Sequence, residues 1–430
     1  MQGFLTTSES AKRAPAVACL VVLIAGIALR LLGPSVTERT PDERAYTVYS
    51  VLVAQQGVDG VKSLVDNFNK SEDMWMYPPP IRAGYLWLTA AAVKLTGATD
   101  ARAVAAISCV ASIVSMLVVL RIGLRFFNPL IAFVSLLLLA VSPMDLAMAR
   151  RAWQDELFGC VALLMVWFCC EVFADPNRWL WRILLWVAGS YCLLVKESAI
   201  VAYGLCFAGL LWFFVFRERS WKRSLWMTVL ACLGILVSLS LMAWASGGFA
   251  SVVDVVKHNM SSVEHNEYAI QYQSGGWLHY WEGFWLVSPL ATGLALVGIA
   301  AVLARWPISG LPESVKHRQF LLTGMVVFLL VFMIAASIPR YLHNLRYISP
   351  TFGVFYLLAG VGAGWAATAT KAKLKPSLAR IAGPMALVAL VLLAVADYWN
   401  FQRIFVKGGA PDLANPFLRQ HSLYCPGGRP

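Results

Sequence analysis

Charge is what this 430-residue chain has least of: Asp, Glu, Lys and Arg make up only 13% of it, against 59% hydrophobic residues and a mean hydropathy of +0.66. Soluble domains carry roughly a quarter charged residues, so a cytosolic enzyme, a disordered chain and a collagen-like chain are all excluded. Acids are scarcer still, 23 against 35 basic residues, for a net charge of +12. In a soluble protein that excess would suggest nucleic acid. In a membrane chain it is expected from Lys and Arg gathered in cytoplasmic loops, and no nucleic-acid role is read into it. A disulfide framework is also lacking. Eight of the nine cysteines lie in or beside apolar segments and only Cys425 sits in a polar tail, with no metal-ligand spacing among them. Lys12 and Arg13 precede a first apolar run that has no convincing small-residue cleavage site, so it reads as an uncleaved span.

What is abundant is long apolar sequence. A helix needs about 20 such residues to cross a bilayer. Runs of this kind fall near 14–33, 101–124, 129–148, 156–173, 180–196, 199–216, 225–245, 284–304, 320–338, 347–369 and 381–398. The fold class is therefore an all-α polytopic membrane protein with about eleven transmembrane helices. Residues 81–97 are ambiguous, because they are apolar yet carry Arg82 and Lys94 and follow Pro78-Pro79-Pro80. If they lie along the outer surface, the basic loops, among them Arg121, Arg125, Arg178, Arg182, Arg217, Arg223, Arg305, Lys316, Arg318, Lys371, Lys373, Lys375 and Arg380, all face the cytoplasm. If they cross, nearly all those loops face outward, against the rule. The N-terminus is accordingly placed inside and the C-terminus outside.

The outer side then holds two long loops, 34–100 and 246–283, the first of them rich in acids from Glu38 to Asp73. In Thr40-Pro41-Asp42-Glu43, Thr40 as N-cap, proline at the first helical position and Glu43 three residues on form a capping box, with Gly57 as the stop. Ala45, Val48, Tyr49, Leu52 and Val53 would line one face of an amphipathic helix at the membrane surface. First-turn acids stabilise a helix without any further role.

Three more charged clusters fall on the outer face. Arg150, Arg151, Asp155 and Glu156 bring both signs to the start of one span; Lys196-Glu197 fills an outer turn where the positive-inside rule disfavours lysine; Arg340, His343, Arg346 and Tyr347 lie between two later spans. Each has a bland reading, as a self-neutralising interfacial group or an aromatic belt with snorkelling arginines. Together they set acids beside cations on one face, the arrangement that lipid-anchored phosphate chemistry needs.

The order of these motifs resembles the C-type (GT-C) integral-membrane glycosyltransferases related to protein O-mannosyltransferases and to the bacterial aminoarabinose transferase of lipid A. The resemblance rests on Pro41-Asp42-Glu43-Arg44-Ala45-Tyr46, Tyr77-Pro78-Pro79-Pro80, Ala149-Arg150 with Asp155, Val195-Lys196, His258-Asn259 and Arg346-Tyr347, in order over most of residues 14–350. Met76 and Tyr77 stand where relatives place a phosphate-binding lysine, which leaves Arg82 as the candidate substitute. Glu197 stands where a glycine often follows the lysine.

The resemblance implies a GT-C transmembrane domain over residues 1–399, a short extracytoplasmic tail over 400–430, and a hexosyl- or pentosyltransferase that uses a sugar on a polyprenyl phosphate. It implies a glycan, lipid or protein acceptor and a multi-pass position in a bacterial inner membrane with the site facing outward. Asp42 would act as general base, with Glu43 and Asp155 orienting cations or binding sugar hydroxyls. Lys196, Arg346, Arg82 and Arg150 would meet the lipid phosphate, and Glu197, His258 and Tyr347 complete the substrate-binding set. A divalent metal bridging the acids is compatible with this scheme and not required by it. The alternative is a secondary transporter or a non-catalytic subunit of an envelope glycan pathway. A transporter usually shows repeated halves with ionisable groups at the midplane, and no internal repeat is found here.

Overall fold

A computed structural model describes residues 6–33, 40–306, 318–373 and 376–425; Glu38, Lys316 and Lys375 lie outside the described residues. Within them the chain is helical, with no strand. In order the helices are α1 (Thr6–Leu32), α2 (Pro41–Gln56), α3 (Val58–Lys70), α4 (Ala83–Thr96), α5 (Ala101–Phe126), α6 (Pro129–Ala140), α7 (Pro143–Met148), α8 (Gln154–Ala174), α9 (Trp179–Val195), α10 (Ala199–Trp212), α11 (Trp221–Ala245), α12 (Phe249–His265), α13 (Glu267–Tyr272), α14 (Leu278–Val287), α15 (Pro289–Leu303), α16 (Arg318–Ala336), α17 (Phe352–Lys373), α18 (Pro376–Phe401) and α19 (Asn415–His421). Short 3₁₀ segments lie at Glu72–Met76 and Leu345–Thr351.

Among the described residues, eight helical segments are long and apolar enough to cross a membrane: Pro15–Leu32, Ala101–Phe126, Gln154–Ala174, Ala199–Arg217, Trp221–Ala245, Gln319–Ala336, Leu345–Thr370 and Ile381–Lys407. The other three expected spans hold the shorter apolar helices α6, α9 and α15. The run expected as one span over 129–148 is broken. α6 stops at Ala140 and Ser142 caps α7, its hydroxyl accepting the Asp145 N–H at 3.2 Å with Pro143 at the first helical position. The break frees carbonyls inside the bundle, and Arg30 of α1 takes them, donating to Leu139 O at 3.1 Å and Ala140 O at 3.1 Å while pairing with Asp145. A charge at this depth is costly, and here it is neutralised and fully hydrogen-bonded.

α15 and α17 pack with their backbones nearly touching: a Cβ on Gly298 would collide with the Leu358 carbonyl oxygen, and one on Gly362 with that of Leu294. Small residues at such a crossing replace the hydrophobic drive that lipid does not supply.

Of the loop expected over 34–100, the described part, residues 40–100, is mostly helical. α2 begins with the expected capping box, Thr40 N–H donating to Glu43 Oε2 at 2.9 Å and Glu43 N–H to Thr40 Oγ1 at 3.4 Å, and it ends at Gly57, whose φ is 64°. Its buried face differs from the expected one. Val48 is 63% exposed, and the inner stripe is Ala45, Tyr46, Tyr49, Ser50 and Val53. Ser50 is inside because α4 answers it: its hydroxyl donates to Thr89 Oγ1 at 2.7 Å, and Tyr46 meets Tyr85 edge to face at 4.9 Å. α3 buries Val61, Leu64, Val65 and Phe68 at helical spacing and leaves Lys62, Asp66 and Asn67 exposed.

The described residues after α18, 402–425, part of the segment expected as a short extracytoplasmic tail, fold back onto the molecule. α19 packs on α14, with Asn415 Nδ2 donating to His279 O at 2.9 Å, and Leu345 N–H reaches Leu413 O at 3.4 Å.

Candidate active site

Five connections meet at one end of the bundle: the start of α2, the turn between α7 and α8, the turn between α9 and α10, the turn between α16 and α17, and the stretch after α18. Each brings charge. Arg346 stands at the centre. Its own N–H donates to the Asn344 side chain at 3.1 Å, which starts the 3₁₀ turn Leu345–Thr351 and fixes where the guanidinium emerges. Nη1 lies 2.8 Å from Asp42 Oδ2, Nη2 donates to the Tyr347 hydroxyl at 3.2 Å, and Nε lies 3.8 Å from Asp412 Oδ1, beyond hydrogen-bond reach. The guanidinium carbon is 5.1 Å from the centre of the Trp153 ring and 5.0 Å from that of Tyr347.

The three acids expected to share the chemistry have unequal surroundings. The Asp42 side chain is 26% exposed, that of Glu43 5% and that of Asp155 0%. Glu43 is fully engaged. Its carboxylate accepts from Thr40 N–H, from Arg151 Nη1 at 3.3 Å and from Ala152 N–H at 3.2 Å, and so ties α2 to the turn before α8. Asp155 forms an ion pair through Oδ1 with Lys196, and its Oδ2 has no hydrogen-bond partner among the described residues. Asp42 alone offers a reacting group access to its carboxylate.

Lys196 turns inward from the end of α9, its ammonium 4.6 Å from the centre of the Tyr347 ring and 5.6 Å from that of Phe158. Burial pulls its pKa below the ordinary lysine value, and Asp155 partly opposes that pull. Glu197, the next residue, points the other way and receives Arg82: Nε donates at 3.0 and 3.2 Å to the two carboxylate oxygens, and Nη2 at 3.0 Å to Oε2. Arg82 also donates to the Tyr46 hydroxyl. Burial works against its charge, but Glu197 and Tyr46 hold its pKa above the usual arginine value. Arg82 is thus a brace between α2, α4 and the Lys196 turn, with 11% of its side chain exposed.

Of the ten expected site residues, Asp42, Glu43, Asp155, Lys196, Arg346 and Tyr347 come together, with Arg82 and Glu197 alongside. Two stand apart. Arg150 donates to the Leu29 carbonyl of α1 at 2.6 Å, and His258 stacks on Trp75 at 4.3 Å. Arg151, the neighbour passed over, is the one that enters the site. It pairs with Glu43, donates to the carbonyls of Ala410 and Pro411 at 2.9 Å each, and lies 4.7 Å from the Trp153 ring centre. Trp153, whose indole N–H donates to Thr40 Oγ1 at 3.1 Å, and Asp412 are the further members that sequence reasoning missed. Asp412 was detectable only as a Gly-Gly-Ala-Pro-Asp turn beyond the last span. No three His, Cys, Asp or Glu side chains among the described residues gather into a set that could hold a metal ion. Asp42, Glu43 and Asp155 are each opposed by a fixed cation, so this donor set does not suit a bridging metal, and no step is derived through one.

Comparisons with known proteins bear on the fold. The family model described as dolichyl-phosphate-mannose-protein mannosyltransferase matches residues 79–244. ArnT from Cupriavidus metallidurans, in a crystal structure bound to undecaprenyl phosphate, superposes with a TM-score of 0.52 at 19% identity over 93% of this chain and 71% of its own. The Archaeoglobus fulgidus oligosaccharyltransferase in its apo form gives 0.61 at 10% identity, over 90% of this chain and 56% of its own. The same archaeal enzyme, AglB, in complex with an inhibitory peptide and a dolichol-phosphate, gives 0.56 at 10% identity. This chain therefore spans little more than half the length of the archaeal protein. No curated protein matches it by sequence. The fold is that of the GT-C membrane glycosyltransferases, and the chain is an integral, multi-pass membrane protein.

Proposed function

We propose that the chain transfers one sugar, a hexose or pentose, from a polyprenyl-phosphate donor to an acceptor at the outer face of the membrane, with inversion at the sugar carbon. The observation that carries this reading is the Asp42–Arg346–Tyr347–Lys196 constellation, in which the most exposed of three acids pairs with Arg346, and Tyr347 stands between that guanidinium and the Lys196 ammonium. ArnT bound to undecaprenyl phosphate and AglB in complex with a dolichol-phosphate, both of this fold, support a lipid phosphate as the donor's carrier.

The Asp42 carboxylate takes the proton of the acceptor's hydroxyl or amine, which must come within about 2.6–3.2 Å of it. The acceptor atom forms its bond to the anomeric carbon as the bond from that carbon to the phosphate oxygen breaks, and the electron pair leaves with the lipid phosphate. Lys196 and Arg346, already in place, stabilise that growing charge more in the transition state than in the ground state. Glu43, Arg151, Arg82 and Glu197 hold the helix ends that carry these groups. Asp155 keeps Lys196 charged and aimed. The outer-face location follows from the basic loops, which the positive-inside rule assigns to the cytoplasm.

The test is a cell deleted for this protein. It should accumulate a polyprenyl-phosphate sugar together with a glycan lacking that sugar, and both should be restored by the native chain. A deletion that alters neither pool overturns the reading, and substrate transport into vesicles without sugar transfer would favour a transporter instead.

A further inference from the structure

We infer that residues 410–412, beyond the last long helix, belong to the reaction site, and that Asp412 is a positioning residue that sets Arg346 against Asp42. This inference rests on the function proposed above. Asp42 and Glu43 are neighbours at the start of α2, and each is held through an arginine by the same three-residue stretch. Asp42 pairs with Arg346 at 2.8 Å, and Arg346 lies 3.8 Å from Asp412. Glu43 pairs with Arg151 at 3.3 Å, and Arg151 donates at 2.9 Å to the carbonyl oxygens of both Ala410 and Pro411. The chain's first outer helix and its C-terminal segment are thus linked by two parallel arginine bridges.

Asp412 is itself fixed. Oδ2 accepts from the Tyr268 hydroxyl at 3.1 Å and from Gln273 Nε2 at 3.4 Å, and Oδ1 accepts the Leu413 N–H at 2.6 Å. Gln273 also accepts the Tyr347 hydroxyl through Oε1 at 3.4 Å, so the same side chain contacts two of the neighbours of the Arg346 guanidinium, Asp412 and Tyr347. The Asp412 side chain is only 4% exposed, too enclosed to touch a substrate, and its charge acts through Arg346. With Asp412 facing Nε and Asp42 against Nη1, the guanidinium is held in one orientation, and the exposed part of the Asp42 carboxylate keeps the access that a general base requires.

The test compares D412N, which keeps the shape and removes the charge, with D412E, which keeps the charge, both in the full-length protein reconstituted in liposomes with a polyprenyl-phosphate sugar. D412N is expected to lose on the order of 100-fold in kcat. The KM for the donor should stay within about threefold of native, because the loss is one of transition-state geometry. D412E should recover most of the rate. Backbone hydrogen exchange at residues 42–47 and 344–347 should be faster in D412N and native-like in D412E. A D412N enzyme turning over within about twofold of native overturns the inference, as do equal losses in both variants. If the native protein transfers no sugar, the proposed function fails, and the exchange measurement alone then decides Asp412, with unchanged exchange in D412N counting against it.

Discussion

The Arg346 guanidinium lies 2.8 Å from the Asp42 carboxylate, so a residue at the start of α2 and one in the turn between α16 and α17 form a single ion pair. Arginine is suited to this place because its planar fork addresses Asp42, Tyr347 and Asp412 at once, which a lysine ammonium cannot do. R346K should therefore keep the fold and lose on the order of 10²–10³ in kcat, measured as sugar transfer by the reconstituted protein. Native-like turnover in R346K would show that only the charge at this position matters.

Lys196 gives the site a pH limit. In the proposed mechanism its charged form is the one that meets the lipid phosphate, and burial has lowered its pKa. Activity that needs the protonated amine is complete below that pKa and falls as pH rises through it, so the alkaline limb should begin below the range of an ordinary lysine. K196R, which stays charged, should move that limb upward even if its rate is lower. K196A should lose about 10²–10³ in kcat, with the defect greatest in use of the lipid donor. An alkaline limb identical in the native protein and K196R assigns that titration to another group.

Glu43 is a stability residue as well as a neighbour of the chemistry. E43A strips the capping box and leaves the Arg151 guanidinium buried without its carboxylate. Breaking one half of a buried pair costs about 3–5 kcal/mol, so thermal unfolding in detergent should fall markedly, with E43Q in between. If E43A unfolds like the native protein, the tie between α2 and the turn before α8 contributes little.

The same reasoning applies deeper in the bundle. D145A leaves Arg30 charged among the carbonyls of Leu139 and Ala140 and should destabilise the protein by a similar amount. The double variant R30L/D145L removes both charges and should recover much of the loss, read as the fraction of monodisperse protein after heating. No recovery would mean that the pair does more than neutralise itself.

Much of this was legible in the sequence. Ser or Thr with Pro before an apolar run marks several of the helix starts, the Thr40–Glu43 capping box among them, and Lys196 stands out as a lysine in a turn that the positive-inside rule would place outside. Three things were not legible, for physical reasons. Arg150 and Arg151 are adjacent in a non-helical turn, where no periodicity says which one points inward, and it is Arg151 that does. The inner face of α2 includes Ser50 and not Val48, because burial of a hydroxyl depends on Thr89 of another helix. Asp412 lies in a segment whose composition suggests a solvated tail, and its place in the site depends on contacts from residues 268–346 that no local pattern encodes.

In the proposed mechanism Asp42 removes the acceptor's proton while cations hold the departing lipid phosphate. The most direct test of that mechanism is single-turnover transfer by D42N, reconstituted with a polyprenyl-phosphate sugar and shown by thermal unfolding to be folded. D42N should lose about 10²–10⁴ in the rate of the chemical step with donor binding retained. Transfer at the native rate by D42N would contradict the mechanism.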